Sequence, residues 1–331
     1  MSVAIRTVSE DEAEIRLDRW FRRHFPALTQ GVIEKLCRTG QVRVDGRRAD
    51  AATRLAPGQA VRVPPLPASP PPPPRATPPD AATERDLERM MLWRDDQLIV
   101  LDKPHGLPTQ GGPGIARHLD GMLDGLRLGY AERPRLVHRL DRDTSGVVVL
   151  ARTARVAAKL AAAFRGRDVE KTYWAVVAGR PVAAEGRIDL DLVRTGRRTD
   201  RVAPAGREDA GAARAITDYR TLDHAGSKLT WLELSPLTGR THQLRVHCAA
   251  LGTPILGDLK YGTERLSRNA AAEGAMVAGL SSQLHLHARR LVLPHPAGGM
   301  LEVEAGLPLH MRETFRMLGF SAPAVRAPRR C

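Results

Sequence analysis

Apolar and polar positions follow one rhythm in the first sixty residues and another after residue 91. In IRLDRWFRRHF, Ile15, Leu17, Trp20 and Phe21, with Phe25, lie on an approximate helical face and arginines fill the other side. Pro26 interrupts, Thr29 can cap a second helix through QGVIEKLCRTG, and Gly40 ends it. QVRVDGRRA then alternates apolar and basic residues around Asp45-Gly46, which predicts a hairpin. Pro57-Gly58 turns the chain into a short strand, AVRVPP. Residues 64 to 80, PPLPASPPPPPRATPPD, are too proline-dense for a sheet or helix and predict a semi-rigid extended spacer. ATERDLERMM reads as a helix. Beyond it the rhythm becomes that of strands.

MLWRDDQLIVLDK predicts two strands around Asp95-Asp96, broken by Lys103-Pro104 and a Gly-rich loop without Walker spacing. GVVVLARTARVAAKLAAAFRG predicts a buried strand and an alanine-rich helix ending near Arg165-Gly166, and EKTYWAVVAG another strand. Residues 195 to 214 read as a polar, mobile excursion. Ala215 to Thr221 and Lys228 to Ser235 predict paired strands, and a helix is expected from Thr241 to Leu251, ended by Gly252. Leu284 to Pro296 predicts a short helix or turn and a strand. Strands and helices do not alternate as βαβ units. The expected class is therefore α+β, with a mixed, mainly antiparallel sheet flanked by helices and loops, preceded by a small α/β domain. The expected boundaries are 14–63 for the small domain, 64–88 for the linker, 89–320 for the large domain, and 321–331 for a disordered basic tail.

Charge narrows the function. The net charge is +14 over 331 residues, which points to a polyanion and, inside a cell, to nucleic acid. Only 4% of residues are aromatic, too few for rows of stacking platforms along a single strand; phosphate contacts and recognition of folded RNA need fewer rings. Cys37, Cys248 and Cys331 are scattered and odd in number, which suits a reducing compartment and argues against a disulfide scaffold. The N-terminus has no apolar signal core, and no apolar run approaches the length of a membrane span. A cytoplasmic protein without membrane contact is expected, and a monomer.

The stretch from Leu136 to Arg152, LVHRLDRDTSGVVVLAR, wedges a charged turn against a buried strand. Asp141 and Asp143 stand among Arg139 and Arg142, and a carboxylate held ionised by guanidinium groups is a candidate nucleophile or general base. A solvated loop with local salt bridges is the alternative, and the residues alone leave both aspartates open. Tyr173, Arg240 and Arg245 complete the candidate set. His242 and His247 lack the HExxH pattern. His285 and His287 share a strand face, but no Cys or carboxylate cluster completes a metal site. Ser145 with His138 lacks a nucleophile elbow, because Asp143 stands where Gly is required.

HRLDRDTSG at 138–146, EKTYWAVVAG at 170–179, TGRTHQLRVH at 238–247 with PILGDLKYG at 254–262, and LHLHARRLVLPHP resemble, in order and spacing, the signature regions of pseudouridine synthases of the large-subunit ribosomal family. The runs VRVPP and TQGGPG look most like the C subgroup. The first sixty residues resemble an S4-type RNA-binding domain through Arg16, Leu17, Asp18, Trp20, Phe21, Ile33, Leu36, Arg38, Gly40, Val42, Val44, Gly46, Gly58 and Val61.

The resemblance implies a cofactor-free isomerisation of uridine to pseudouridine with a flipped nucleotide. It selects Asp141 as the catalytic carboxylate, leaving Asp143 to support the turn. It implies Tyr173 against the uracil as a stacking and proton-relay group, and Arg245 paired with Asp141. It gives Arg139 to the flipped nucleotide and Ile255 or Leu256 to the pocket wall; Arg142 and Arg240, from the same charged constellation, are the further candidates for substrate binding. Arg16, Arg38, Arg43, Arg47 and Arg48 become the RNA contacts of the small domain. RNA is the expected partner: 23S ribosomal RNA, with transfer RNA as the alternative. The rival readings are a non-catalytic RNA-binding assembly factor and a carboxylate N-glycosidase that would release free uracil.

Overall fold

The computed structural model describes residues 3–26, 28–66, 80–112, 114–166, 168–195, 201–206, 209, 211–262 and 279–330. The chain divides into two units, Met1–Thr77 and Pro78–Cys331.

In the first unit, β1 (Ala4–Thr7) precedes α1 (Leu17–His24) and α2 (Gln30–Arg38). Next come β2 (Arg43–Val44), β3 (Arg47–Arg48) and β4 (Ala60–Val63), in a sheet of order β1-β4-β2-β3. Leu17, Trp20 and Phe21 meet Ile33, Leu36, Val42, Leu55 and Val61 in one core. Asp45 and Gly46 both have positive φ, 48° and 77°, as a two-residue hairpin turn of type I′ requires. Thr29 starts α2 with its carbonyl, which accepts from the Val32 and Ile33 amides, while its side chain makes no capping bond.

The second unit begins earlier than residue 89. Helix α3 (Ala81–Met90), capped by Asp80, buries Leu87 and Met90 in that unit's core and so belongs to it rather than to the spacer. The proline-dense stretch itself lies mostly outside the described residues.

The large sheet is ordered from β11 (Arg201–Pro204) through β10 (Glu185–Thr195), β12 (Ala213–Ala225), β13 (Leu229–Pro236) and β9 (Glu170–Ala178). It continues through β14 (Leu286–Pro294), β8 (Ser145–Ala151), β6 (Leu98–Lys103) and β5 (Met91–Arg94). β7 (Arg135–Leu136) pairs with β8, and β15 (Met300–Glu304) with β14. Within this sheet the contact of β14 with β8 is parallel and the other pairings are antiparallel.

The continuous apolar run of β8 is explained by burial on both faces. Val147, Val149 and Ala151 pack with Val156, Leu160 and Ala163 of helix α5 (Ala154–Gly166). Val148 and Leu150 face α3 and Leu119 and Met122 of α4 (Leu119–Met122). Each fully buried aliphatic side chain contributes about 1.5–3 kcal/mol. On the other half of the sheet, α6 (Gln243–Ala250) sets Leu244 and Cys248 against Ala175, Val177 and Leu232. Helix α7 (Leu309–Leu318) sets Met311 and Phe315 against Trp174 and Trp231.

Two expectations are corrected. The excursion at 195–214 is partly ordered: Arg201–Pro204 pairs with Leu192–Thr195, and the Val202 amide donates to the Tyr261 hydroxyl at 3.0 Å. Residues 196–200, 207, 208 and 210 lie outside the described residues. The C-terminal residues are not a loose tail. Arg329 and Arg330 form β16 against β15, where Glu302 bridges Arg290 and Arg329. The Arg330 guanidinium donates to the carbonyls of Gly298 and Ala297. Basic residues here cover a sheet edge.

The junction of β8 with β14 fixes the height of the central loop. Gly146 and Tyr173 both register with Ala288, from opposite sides of β14. Gly146 has φ +110°, and a Cβ there would lie 2.2 Å from the Ala288 carbonyl oxygen. Gly146→Ala is expected to destabilise the second unit by at least about 3 kcal/mol in urea unfolding of the full chain. A change below 1 kcal/mol would show that the strands can separate at little cost.

Candidate active site and RNA-binding face

The turn bearing Asp141 lies between β7 and β8. It closes on itself through the Thr144 amide, which donates to the Asp141 carbonyl at 3.2 Å. What holds the turn in place was seen in the sequence only as a strand break. Lys103, at the end of β6, is fully buried, and its Nζ donates to the carbonyls of Pro104 (3.0 Å), Leu107 (2.8 Å) and Arg142 (3.0 Å). Three carbonyls match the three protons of an ammonium. Thr109 adds a reciprocal pair: its hydroxyl donates to the Leu140 carbonyl at 2.6 Å and accepts from the Leu140 amide at 3.2 Å. Burial pushes Lys103 down to about 8, although Asp143, Asp141 and Asp102 favour its charge.

Asp141 opens into a cavity of about 610 Å³ lined by Arg139, Lys171, Tyr173, Leu237, Arg240 and Leu286, among others. Tyr173 reaches it from β9. Burial, and then the negative charge of Asp141, push its phenol well above the usual range, so at neutral pH it is a proton donor rather than a base. Arg245 reaches the cavity from α6, but its partner differs from the expected one. Its Nε and Nη2 donate to the two carboxylate oxygens of Asp258 at 2.8 and 2.7 Å, both residues buried. Burial alone would lower the Arg245 pKa; the Asp258 pair, with Asp141 adding at longer range, raises it. The amides of Lys260 and Tyr261 also donate to Asp258. Arg245 is thus anchored by Asp258 and faces Asp141 as a charge, not as a hydrogen-bonded partner.

Among the described residues, a histidine nitrogen that the sequence suggests only as a metal ligand comes close to Asp141. His242 Nε2 lies 3.9 Å from Asp141 Oδ2. His242 caps α6 in the left-handed conformation (φ 53°), an uncommon state for a non-glycine residue. Its Nδ1 lies 2.8 Å from the Tyr261 hydroxyl, whose oxygen already accepts from Val202. With Nδ1 turned to the tyrosine, Nε2 is the ring nitrogen turned toward Asp141.

Other expected site residues divide. Arg139 and Arg240 line the Asp141 cavity with exposed side chains. Arg142 points away from it, 70% exposed, and pairs with Asp143 at 3.3 Å, as a turn-supporting carboxylate should. Ile255 and Leu256 do not line the cavity. Ile255 is fully buried in a core with Ala175 and Val177, and Leu256 packs with Trp174 and Val176. Their backbone attaches to β9, with the Leu256 amide donating to the Val176 carbonyl, which explains the apolar pair structurally.

His138, His285 and His287 find hydrogen-bond partners inside the protein. His138 stacks on Phe164, accepts the Val149 amide at 2.9 Å, and is driven down to about 3 by burial and then by Lys171. Ser145 bonds His287 Nδ1 at 2.9 Å in a sealed interior, so Ser145 with His138 forms no nucleophile pair. His285 bonds the Gln283 carbonyl and the Thr314 hydroxyl.

In the first unit, Arg16 pairs with Asp18 at 2.7 Å. Arg38, Arg43, Arg47 and Arg48 are exposed, and among the described residues no carboxylate pairs with them. Arg43 stands directly opposite Arg48 on one side and Arg62 on the other. Like charges placed across strands disfavour the free sheet and favour an anionic partner.

A buried arginine–aspartate clamp, a carboxylate in a pocket with a neutral tyrosine, and a separate basic sheet define an RNA-modifying enzyme with an RNA-binding unit in front. The comparisons agree. Residues 97–250 match the family described as RNA pseudouridylate synthase, and residues 15–61 match the S4 domain. The chain is 35% identical to ribosomal large subunit pseudouridine synthase C of Rickettsia bellii, over 88% of this chain and 94% of that one. It is 34% identical to the protein of the same name from Vibrio cholerae, over 92% and 94%. It is 33% identical to the mitochondrial RNA pseudouridine synthase 4 of Arabidopsis thaliana, over 94% and 80%. The structure of human RNA pseudouridylate synthase domain containing 4 superposes with a TM-score of 0.60 at 30% identity, over 73% of this chain and 98% of that one. The chain belongs to the RNA pseudouridylate synthase family and carries an S4 domain.

Two outcomes are expected. The pH profile of kcat/KM falls on the alkaline side with a midpoint near 8, as Lys103 loses the proton that holds one of its three carbonyls; a flat profile from about pH 7 to 9.5 would contradict the loop-holding role. Arg43→Gln lowers the slope of log affinity for RNA against log salt by about one, measured by filter binding between about 50 and 200 mM salt. An unchanged slope would remove Arg43 from the RNA contact.

Proposed function

We propose that this RNA pseudouridine synthase modifies uridines of large-subunit ribosomal RNA, with Asp141 as the reactive carboxylate. The observation that carries the reading is the convergence of Asp141 and Tyr173 on one cavity of about 610 Å³, large enough for a flipped nucleotide. The ribosomal target is supported by the names of the bacterial relatives, which align along nearly the whole chain. The unpaired arginines of the S4 unit fit a partner with many phosphates.

In this reading the uridine leaves its stack and enters the cavity beside Tyr173, whose ring lies against the uracil. Asp141 acts at the sugar as the N1–C1′ bond breaks and its electron pair passes to the base. The base turns, C5 bonds to C1′, and the proton on C5 is lost. Arg245, held by Asp258, keeps positive charge near Asp141 without neutralising it by a direct bond. His242 brings Nε2 to 3.9 Å from Asp141, within reach of a hydrogen bond once the gap closes around substrate. The neutral phenol of Tyr173 suits stacking and donation, and proton relay through it would begin by giving up its hydrogen.

Asp141→Asn is expected to abolish pseudouridine formation on large-subunit RNA transcripts while leaving melting temperature and RNA affinity nearly unchanged. Pseudouridine mapping and filter binding on the same protein give both readouts. Wild-type turnover in this variant would sink the assignment. Release of free uracil by the wild-type enzyme would indicate an N-glycosidase instead.

A further inference from the structure

A second cavity, of about 640 Å³, adjoins the first on the other side of the Asp141 turn. Both cavities share Arg139, Leu140, Asp141, His242 and Arg245, so the turn is a partition between two chambers. Tyr173 lines only the first, which makes that one the chamber for the reacting base.

The second chamber is firmly built. One wall is the segment from His105 to Gln110, stitched to the Asp141 turn by Lys103, by Thr109 with Leu140, and by the Gly106 amide donating to the Arg142 carbonyl at 3.0 Å. The opposite wall joins Gly257 to Gln283 so closely that a Cβ on Gly257 would lie 2.0 Å from the Gln283 carbonyl oxygen.

Its lining has the chemistry of a nucleobase site. His105 is half-buried, and its ring meets His310 edge to face at 5.4 Å, with His310 in turn against His285 at 5.1 Å. Burial holds His105 below the usual histidine range, with Lys103 and Arg142 adding to the effect against the opposing pull of Asp143. A neutral ring braced from behind is a stacking platform. Leu259 stands 78% exposed on the lining, an apolar side chain within reach of a base in the chamber. Gln110 and Gln283 bring amide donors and acceptors suited to a base edge, and Arg142 brings a charge for the phosphate.

We infer that the second chamber binds the base of a nucleotide adjacent to the target uridine, stacked on His105 with Leu259 holding the two bases apart. The inference rests on the reading of the chain as an enzyme that works on RNA. It gives the enzyme a means of choosing among uridines by what stands beside them, because a base that fills the chamber also places its neighbour over Asp141.

Two measurements on the full chain test it. RNA hairpins carrying fluorescent 2-aminopurine on either side of a uridine are titrated with protein. Quenching is expected at one of the two positions with wild type and about tenfold weaker binding with His105→Ala, in line with the loss of one stacked base. This arm needs no turnover, so it judges the chamber even if pseudouridine formation fails. No quenching at either position would overturn the inference.

The second measurement is kcat/KM on a transcript whose modified uridine has been mapped, with and without an abasic residue at the quenched position, for wild type and for His105→Ala and Leu259→Ala. Each change alone is expected to lower kcat/KM about tenfold, and the abasic residue combined with His105→Ala no further. Multiplicative losses would mean that His105 and the neighbouring base do not meet, and would overturn the inference. A general folding defect in a variant would instead lower its melting temperature and its rate on the abasic transcript alike.

Discussion

A buried ammonium holding three carbonyls is the constraint on which the rest of the site depends. Lys103 belongs to the sheet, Leu107 to the loop after it and Arg142 to the turn that carries Asp141, and one charged group binds the three together. Taking an ammonium out of water costs several kcal/mol, which only complete hydrogen bonding and nearby carboxylates offset. An arrangement of that cost can hold only if the loop stays where it is. The reward is a carboxylate fixed in place without being consumed by an arginine of its own.

That last point organises the electrostatics. Asp258 engages Arg245 side-on, with two charge-assisted bonds in a buried site. Asp141 is therefore left with the positive charge of Arg245 near but not bonded to it. The left-handed His242 at the start of α6 serves the same end, carrying a ring nitrogen to within 3.9 Å of Asp141.

Positive charge does two different kinds of work in this chain. In the S4 unit, Arg62, Arg43 and Arg48 stand in register across three strands without carboxylate partners among the described residues, a pattern that an anionic ligand relieves. At the C-terminus, Arg329 and Arg330 are used up within the protein, on Glu302 and on backbone carbonyls, where they close a sheet edge. Net charge alone does not separate the two uses; the position of the acidic partners does.

Several local signals in the chain determine local structure on their own. Asp45-Gly46 can close only a tight hairpin, Gly40 and Gly252 stop helices, and the run from Val147 to Ala151 can be stable only with both faces covered. The three polar motifs, in their order, were enough to bring Asp141, Tyr173 and Arg245 under suspicion together. What the sequence could not carry were partners set by contacts between distant residues. Nothing near Arg245 in the chain says that Asp258 outcompetes Asp141 for it, and nothing near Lys103 says that it is caged rather than solvated. Ile255 and Leu256 read equally well as pocket or core, and the register of Ile255 beside Val177 made them core. The basic C-terminus reads as a solvated tail until β15 offers an unpaired edge. In each case the deciding energy is desolvation, which depends on what the folded chain places around a group.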